Sequence, residues 1–342
     1  MKKALIFLLA LMPFAGYAQQ DTVISATVIR QAPQAVTNAN RNDVSRNKEG
    51  WRLEFPRFYS GDDKTFEVTK STADYGITYS LEWDGTLKAN RWTCYELYKG
   101  NMEQNVGRKD AFKEDPDIPQ EYRTTLADYK GSGYSRGHLC PSADRLCSQE
   151  QNSQTFYLTN MQPQIQAHNG GVWATLEDKV RNTWASQCDT LYVVKAATID
   201  KDHIQTYTTS GLIVPAYFYM ALLAYTKSTD TYQALGVWSP HEGGSTTEYI
   251  TVDDLESRTG IDFFCNLPDD LEDRLEASAD GSFWGVTISG AGVVTAPVIS
   301  GTSPFTGSTT VTITAGAGTT VRYTTDGTTP TTGSTQIRNG HR

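Results

Sequence analysis

Between Tyr134 and Arg181 the chain concentrates side chains that can move protons and hold anions. Tyr134-Ser135-Arg136-Gly137-His138 sets an imidazole two residues from a guanidinium, with only a glycine between them. At a strand end that pattern supplies a base whose ordinary pKa of about 6.5 lets it take a proton from water near neutrality. Beside it stands a fork suited to phosphate oxygens. Tyr157-Leu158-Thr159-Asn160-Met161-Gln162-Pro163-Gln164 follows, and then the run Asn169 to Arg181. On a helix Glu177 and Arg181 are i and i+4 and share a face. Asn169 sits at the expected helix start, eight residues before Glu177, on broadly the same side. Plainer roles exist for each: an N-cap for Asn169, a surface pair for Glu177 and Arg181, a turn for Asn160.

Other chemistries share these residues. Gly133-Tyr134-Ser135-Arg136-Gly137 matches G-x-S-x-G, the nucleophile elbow of serine hydrolases. That elbow needs a buried strand before it and a helix after it. Here polar Ala127 to Ser132 precede it, and His138 and then Pro141 follow. His138, Cys140 and Cys147 suggest a zinc site, but H-x-C-x₆-C is no recognised zinc spacing and a fourth ligand is lacking.

The elements that must position these groups mix strands with helices. Thr78 to Trp83 and Trp92 to Tyr98 read as strands around an Asp84-Gly85 turn, and Thr155 to Thr159 as a short strand. Gly170 to Trp184 reads as a helix through Val172, Leu176, Val180 and Trp184. Leu191 to Ala197 and Ala216 to Thr226 are apolar strands, and Val252 to Thr259 is a helix stopped by Gly260. Without regular βαβ alternation the class is α+β.

The stretch from Asp128 to Arg181 resembles the DNA/RNA non-specific endonucleases of the ββα-metal superfamily, relatives of endonuclease G. The family's D-R-G-H stands here as Ser135-Arg136-Gly137-His138, with serine replacing the aspartate. Its Asn-x-x-P-Q segment matches Asn160 to Gln164, and its metal-site helix matches Asn169, Trp173, Leu176 and Glu177. Arg108 to Pro119 resembles its lead-in, and Glu256 to Pro268 its closing segment. The resemblance covers roughly Trp51 to Ser289.

It implies a ββα-metal core on a mixed, mainly antiparallel sheet, and hydrolysis of DNA and RNA phosphodiesters with little sequence specificity. His138 is then the general base. Mg²⁺, with Mn²⁺ as the alternative ion, is held directly by Asn169 and through water by Glu177. Arg136, Arg181 and Arg108 bind phosphate, and Asn160 orients His138 or the site loop. The catalytic set is His138, Arg136, Asn160 and Glu177. Partners are DNA and RNA, with an inhibitor protein as a further candidate.

Composition sets the outer bounds. A net charge of −9 excludes a protein that coats nucleic acid through bulk charge. Arg108 to Arg181 itself holds nine Lys/Arg against ten Asp/Glu, so any basic groove must come from folding. The apolar run Leu5 to Ala15 is too short to span a bilayer. Lys2, Lys3, Ile6 to Leu11 and Gly16-Tyr17-Ala18 read as a cleavable export signal ending before Gln19, hence a secreted or periplasmic protein. Cleavage removes two lysines and takes the charge from −9 to −11. An exported chain permits disulfides, and Cys140 and Cys147 are near enough in sequence for a local bridge.

The expected organisation is residues 1–18 signal, 19–50 flexible lead-in, 51–289 nuclease domain and 290–342 a small all-β tail. The tail, rich in Thr, Ser, Gly and Val, resembles part of the chitobiase/hexosaminidase C-terminal β-sandwich module. A secreted non-catalytic binding or adhesion protein is therefore the alternative function.

Overall fold

The computed structural model describes residues 38–61, 64–244 and 246–289, and outside them the strand segments 8–11, 23–24, 298–301, 311–314, 320–324 and 335–336. Two compact units result, residues 38–289 and a second drawn from residues 1–37 and 290–342.

In chain order the larger unit carries β1 (Thr65–Thr72), β2 (Gly76–Asp84), β3 (Ala89–Leu97) and β4 (Ser135–His138). Next come α1 (Gln149–Gln154), β5 (Met161–Gln164) and α2, a composite helix over residues 166–187. Then follow β6 (Thr190–Ala197), β7 (Ile204–Tyr207), β8 (Ile213–Pro215), β9 (Tyr217–Thr226), β10 (Thr231–Pro240) and β11 (Glu248–Ile250). Helices α3 (Val252–Thr259), α4 (Asp269–Glu276) and α5 (Gly281–Trp284) close it. Seven strands form one antiparallel sheet in the order β11-β10-β9-β6-β3-β2-β1. β4 and β5 form a separate antiparallel ribbon that leads straight into α2, which is the ββα unit.

Both faces of the large sheet are covered, so its central strands read as continuous apolar runs rather than alternating ones. Val193, Met220 and Leu222 pack on one face with Trp173, Leu176, Val180 and Trp184 of α2. Val194, Tyr219 and Ala221 pack on the other with Phe263, Phe264 and Leu267 of the closing segment. Alternation along β6 therefore turns Lys195, two residues from Val193, toward α2.

Several expectations are corrected. Thr155 to Thr159 is not a strand. Thr155 ends α1, and backbone bonds from Phe156 to Ser153, Tyr157 to Gln154 and Asn160 to Tyr157 keep the chain turning. Only Tyr157 bridges a neighbour, Lys113. Helix α2 begins at Gln166, so Asn169 is no N-cap; its N–H already donates to the Ile165 carbonyl at 2.9 Å. Asn169–Trp173 and Val180–Trp184 are π-helical, with Gly171 at φ −111°, ψ −112°. The extra residue per turn brings Trp173, rather than Val172, fully into the core.

The larger unit also starts earlier than Trp51. Asn42 is buried, donating to Pro56 O at 3.0 Å and accepting from Phe58 N at 2.8 Å. All five cysteines are unpaired thiols, so the Cys140–Cys147 bridge is not made. Gly260 ends α3 at φ 67° as expected, a left-handed turn that glycine takes without strain. No helix among the described residues is long and apolar enough to cross a membrane.

In the smaller unit Val311–Thr314 pairs with Val298–Gly301 and Val23–Ile24. Thr320–Tyr323 pairs with Leu8–Leu11 and Thr335–Gln336. The tail is thus all-β in its described segments. Most of the presumed chitobiase-like stretch lies outside the described residues.

Candidate active site

The ribbon fixes His138 opposite Met161 and Arg136 opposite Pro163. Between them, Gly137 admits no side chain, because a Cβ there would collide with Gln164 Oε1 and lie 2.7 Å from the Gln164 Cβ. Gln164 is held in turn by the buried His168, 2.7 Å from Nδ1, whose Nε2 lies 2.9 Å from Ser239 Oγ. Ser135 donates to Gln166 Oε1 at 2.6 Å and fastens the ribbon to the first residue of α2. It opens a strand rather than an elbow into a helix, and its hydroxyl partner is an amide rather than a histidine. The serine-hydrolase reading is set aside on that geometry.

His138 is flanked by aromatic rings. Its centroid lies 5.0 Å from Phe156 and 5.9 Å from Phe112, which meet each other edge-on at 5.0 Å. Arg136 stacks over Phe112 at 3.7 Å, and Arg108 stands over Phe156 at 5.2 Å. The result is an imidazole between two guanidiniums, spaced by rings. Burial, then Arg108, Lys195 and Arg136, push the His138 pKa down to about 3, opposed by Asp110. The ring is neutral at neutral pH, and it makes no side-chain hydrogen bond among the described residues, with Nε2 buried and unpaired.

The Asn160 side chain makes no hydrogen bond to His138. It is fully buried, accepts from Cys140 N at 2.8 Å and donates to Cys140 O and Thr155 O, both at 2.9 Å. Leu139 N adds a bond to Asn160 O at 3.0 Å. Asn160 therefore latches the strand end that carries His138, which matches the expected role of orienting the site loop.

On α2, Asn169 is half-buried, and its side-chain amide makes no hydrogen bond among the described residues. Glu177 and Arg181 share a face but do not pair. Glu177 Oε1 lies 3.3 Å from Lys195 Nζ, while Arg181 Nη1 lies 2.5 Å from Asp144 Oδ1. Tyr95 OH donates to the other Asp144 oxygen at 2.9 Å. Burial raises the Glu177 pKa, and Lys195 lowers it again. Lys195 also acts on His138, and with Glu177 on the nearby Cys140, which ties the ribbon and helix groups into one electrostatic field.

Among the described site cations, Arg136 alone has no carboxylate partner. Arg181 is held by Asp144 and Arg108 by Asp110 at 2.8 Å, although Arg108 is half exposed. Burial pushes the Cys140 thiol up to about 12, so it is no thiolate ligand. His138, Cys140 and Cys147 also form no metal-ligating group among the described residues. Lys195, Asp144, Phe112 and Phe156 escaped sequence reading. The one usable signal was the lone lysine inside the apolar run Leu191 to Ala197.

The family described as DNA/RNA non-specific endonuclease matches residues 62–270. A nuclease of Nostoc sp. is 31% identical over 214 residues, covering 59% of this chain and 76% of that protein. Nuclease C1 of Cunninghamella echinulata var. echinulata is 30% identical over 228 residues, covering 61% and 86%. The human mitochondrial nuclease EXOG is 30% identical over 231 residues, and the match covers 63% of each chain. Among solved structures, the EndoG/EndoGI complex shares the fold at TM-score 0.52 and 24% identity, over 62% of this chain and 90% of that one.

Proposed function

The chain belongs to the DNA/RNA non-specific endonuclease family and is a nuclease, and from that premise we propose that it hydrolyses DNA and RNA internally with His138 as general base. The observation that carries this reading is a neutral, unpaired imidazole set between Arg136 and Arg108 on an aromatic base. His138 takes the proton of the attacking water. Arg136, lacking a carboxylate, takes a non-bridging phosphate oxygen, and contacts to phosphate alone carry little base information. A bound phosphodiester also brings negative charge beside His138 and raises its pKa from about 3, strengthening the base once substrate is in place.

Enzymes of this family use a divalent metal. The residues here fit one: the Asn169 amide is unpartnered, and the Glu177 carboxyl is held 3.3 Å from Lys195 Nζ. Asn169 directly and Glu177 through water would hold Mg²⁺, which when bound supplies charge stabilisation at the phosphorus and leaving oxygen. A fitting hard-cation donor set and an unpaired phosphate cation favour this over the adhesion reading.

Export with cleavage after Ala18 is part of the proposal. Leu8–Leu11 pairs with Thr320–Tyr323, so a processed chain would lose that strand. N-terminal sequencing of protein from the culture medium or periplasm decides it: Gln19 first supports export, and an intact Met1 removes it. The solved relative is a complex described as showing how EndoG is inhibited, which supports an inhibitor protein as a candidate partner.

The test of function is nicking of supercoiled plasmid, and cleavage of single-stranded RNA, by purified protein with Mg²⁺, with EDTA and as His138→Ala. Metal-dependent cleavage reduced about 10²–10⁴-fold by the substitution is expected. A folded His138→Ala protein that cuts at the wild-type rate would refute the assignment.

A further inference from the structure

Helices α3 and α4 face each other with carboxylates. Asp253 and Glu256 lie one turn apart on α3, and Glu272, Asp273 and Glu276 lie on α4. One carboxylate oxygen from each of Asp253, Glu256 and Glu276 lies within 4.8 Å of the other two. Glu276 is only 5% exposed, and its Oε1 is buried without a hydrogen-bond partner although it is aimed into this cluster. An unpaired buried carboxylate is costly, and Glu276 occupies the last turn of α4, where the helix dipole disfavours negative charge.

Nothing basic relieves the three. Among the described residues none of them pairs with a lysine or arginine. Arg258 is taken by Glu248 at 2.9 Å, and Arg274 Nε donates to Asp270 O at 2.9 Å. Asn40 serves the neighbouring Asp262 and Glu272 at 3.2 and 2.9 Å rather than the triplet. Glu256 accepts from Phe263 N at 2.7 Å, which fixes it to the loop between the helices.

We propose that Asp253, Glu256 and Glu276 form a second divalent-cation site, for Ca²⁺, which clips α3 to α4 and has no part in catalysis. Two Ca–O bonds of 2.3–2.6 Å span up to about 4.6–5.2 Å, so oxygens within 4.8 Å of one another reach one Ca²⁺. Mg²⁺ demands near-ideal octahedral geometry at about 2.0–2.1 Å and gives up its waters reluctantly, so three carboxylates fixed on two helices suit the larger, more tolerant Ca²⁺. The clipped segment carries Phe263, Phe264 and Leu267 onto the large sheet, so the site's output is stability.

The experiment is thermal unfolding of the EDTA-stripped full-length chain with Ca²⁺ alone and with Mg²⁺ alone. It is run on wild type, Asn169→Ala, Asp253→Asn and Glu276→Gln. With Ca²⁺ at 100 times its Kd the wild-type midpoint should rise by about 5–10 °C. The rise should persist in Asn169→Ala, where the proposed catalytic ligand is gone, and vanish in Asp253→Asn and Glu276→Gln. Glu276→Gln should also unfold no earlier than wild type in EDTA, because burial and the neighbouring carboxylates push the Glu276 pKa up to about 11 and glutamine mimics that protonated carboxyl. Asp253 is exposed, so its variant decides the matter if Glu276→Gln fails to fold. No rise with Ca²⁺, an equal rise with Mg²⁺ in Asn169→Ala, or a rise with Ca²⁺ lost in Asn169→Ala but kept in Asp253→Asn would each overturn the proposal. None of these readouts depends on cleavage, so the site can fail while the nuclease reading stands.

Discussion

At the scale of single residues, His138 and Lys195 carry the site's electrostatics. The His138 pKa of about 3 means the free protein holds this ring neutral until strongly acid pH. The acid limb of kcat/KM, which reports free enzyme, should lie below about pH 5, and that of kcat should lie higher because bound phosphate raises the ring's pKa. A pH–rate series on one short duplex separates the two; coincident limbs near pH 6.5 would contradict the burial of the ring. The same depression acts on stability. Between about 3 and 6.5 the unfolded chain binds a proton that the folded chain refuses, so this contribution is lost as pH falls through that window. His138→Gln should flatten that slope in urea titrations. Lys195 is fully buried, with Glu177 as its ion-pair partner among the described residues. Lys195→Met should cost about 2 kcal/mol, less than a fully buried pair because Glu177 keeps some water. It should also lower activity about 10–100-fold and raise the metal concentration needed for half-activity, since Glu177 loses the group that holds it. Unchanged metal dependence would leave Lys195 a packing residue only.

At the scale of elements, the ribbon and α2 act as one device. Gly137 lets Gln164 lie against the ribbon, Ser135 ties to Gln166, and Asn160 bonds both sides of Cys140. Gly137→Ala should therefore cost about 1–3 kcal/mol and displace His138 from its rings. Urea midpoints and cleavage rates should fall together, and a stable, fully active variant would show that the ribbon yields. Sequence periodicity located α2 but missed its start and its π-helical turns. Two adjacent glycines and an uncapped Ile165 leave no local start signal, and the opening is set by His241, whose Nε2 accepts from Ile165 N at 2.8 Å. Thr155 to Thr159 misread as a strand for the opposite reason. Its β-branched and apolar residues are buried for packing, while its backbone turns on local bonds and reaches across the chain only to Lys113.

At the scale of the whole molecule, a chain of net charge −9 must bind a polyanion through a few placed cations. With Arg136 and Arg108 as the phosphate contacts, affinity should fall roughly tenfold between 50 and 200 mM salt, and Arg136→Ala should flatten the logarithmic slope by about 0.9. Binding measured in EDTA checks this, and salt-indifferent affinity would contradict it. The α+β class and the family were legible in the chain alone, because both follow from residue type and short spacing, and the same spacing singled out His138, Arg136, Asn169 and Glu177 as candidates. Which charges are spent depends on how remote segments pack together. Arg181 answers to Asp144, thirty-seven residues away, Glu177 answers to Lys195 on a central strand, and Asn160 became a latch. The physical reason is that an ion pair needs a distance, and distance between remote residues is set by packing. Both faces of the sheet are apolar, so the run around Lys195 carries no alternation to say which face it joins until α2 covers one side and the α3–α4 segment the other.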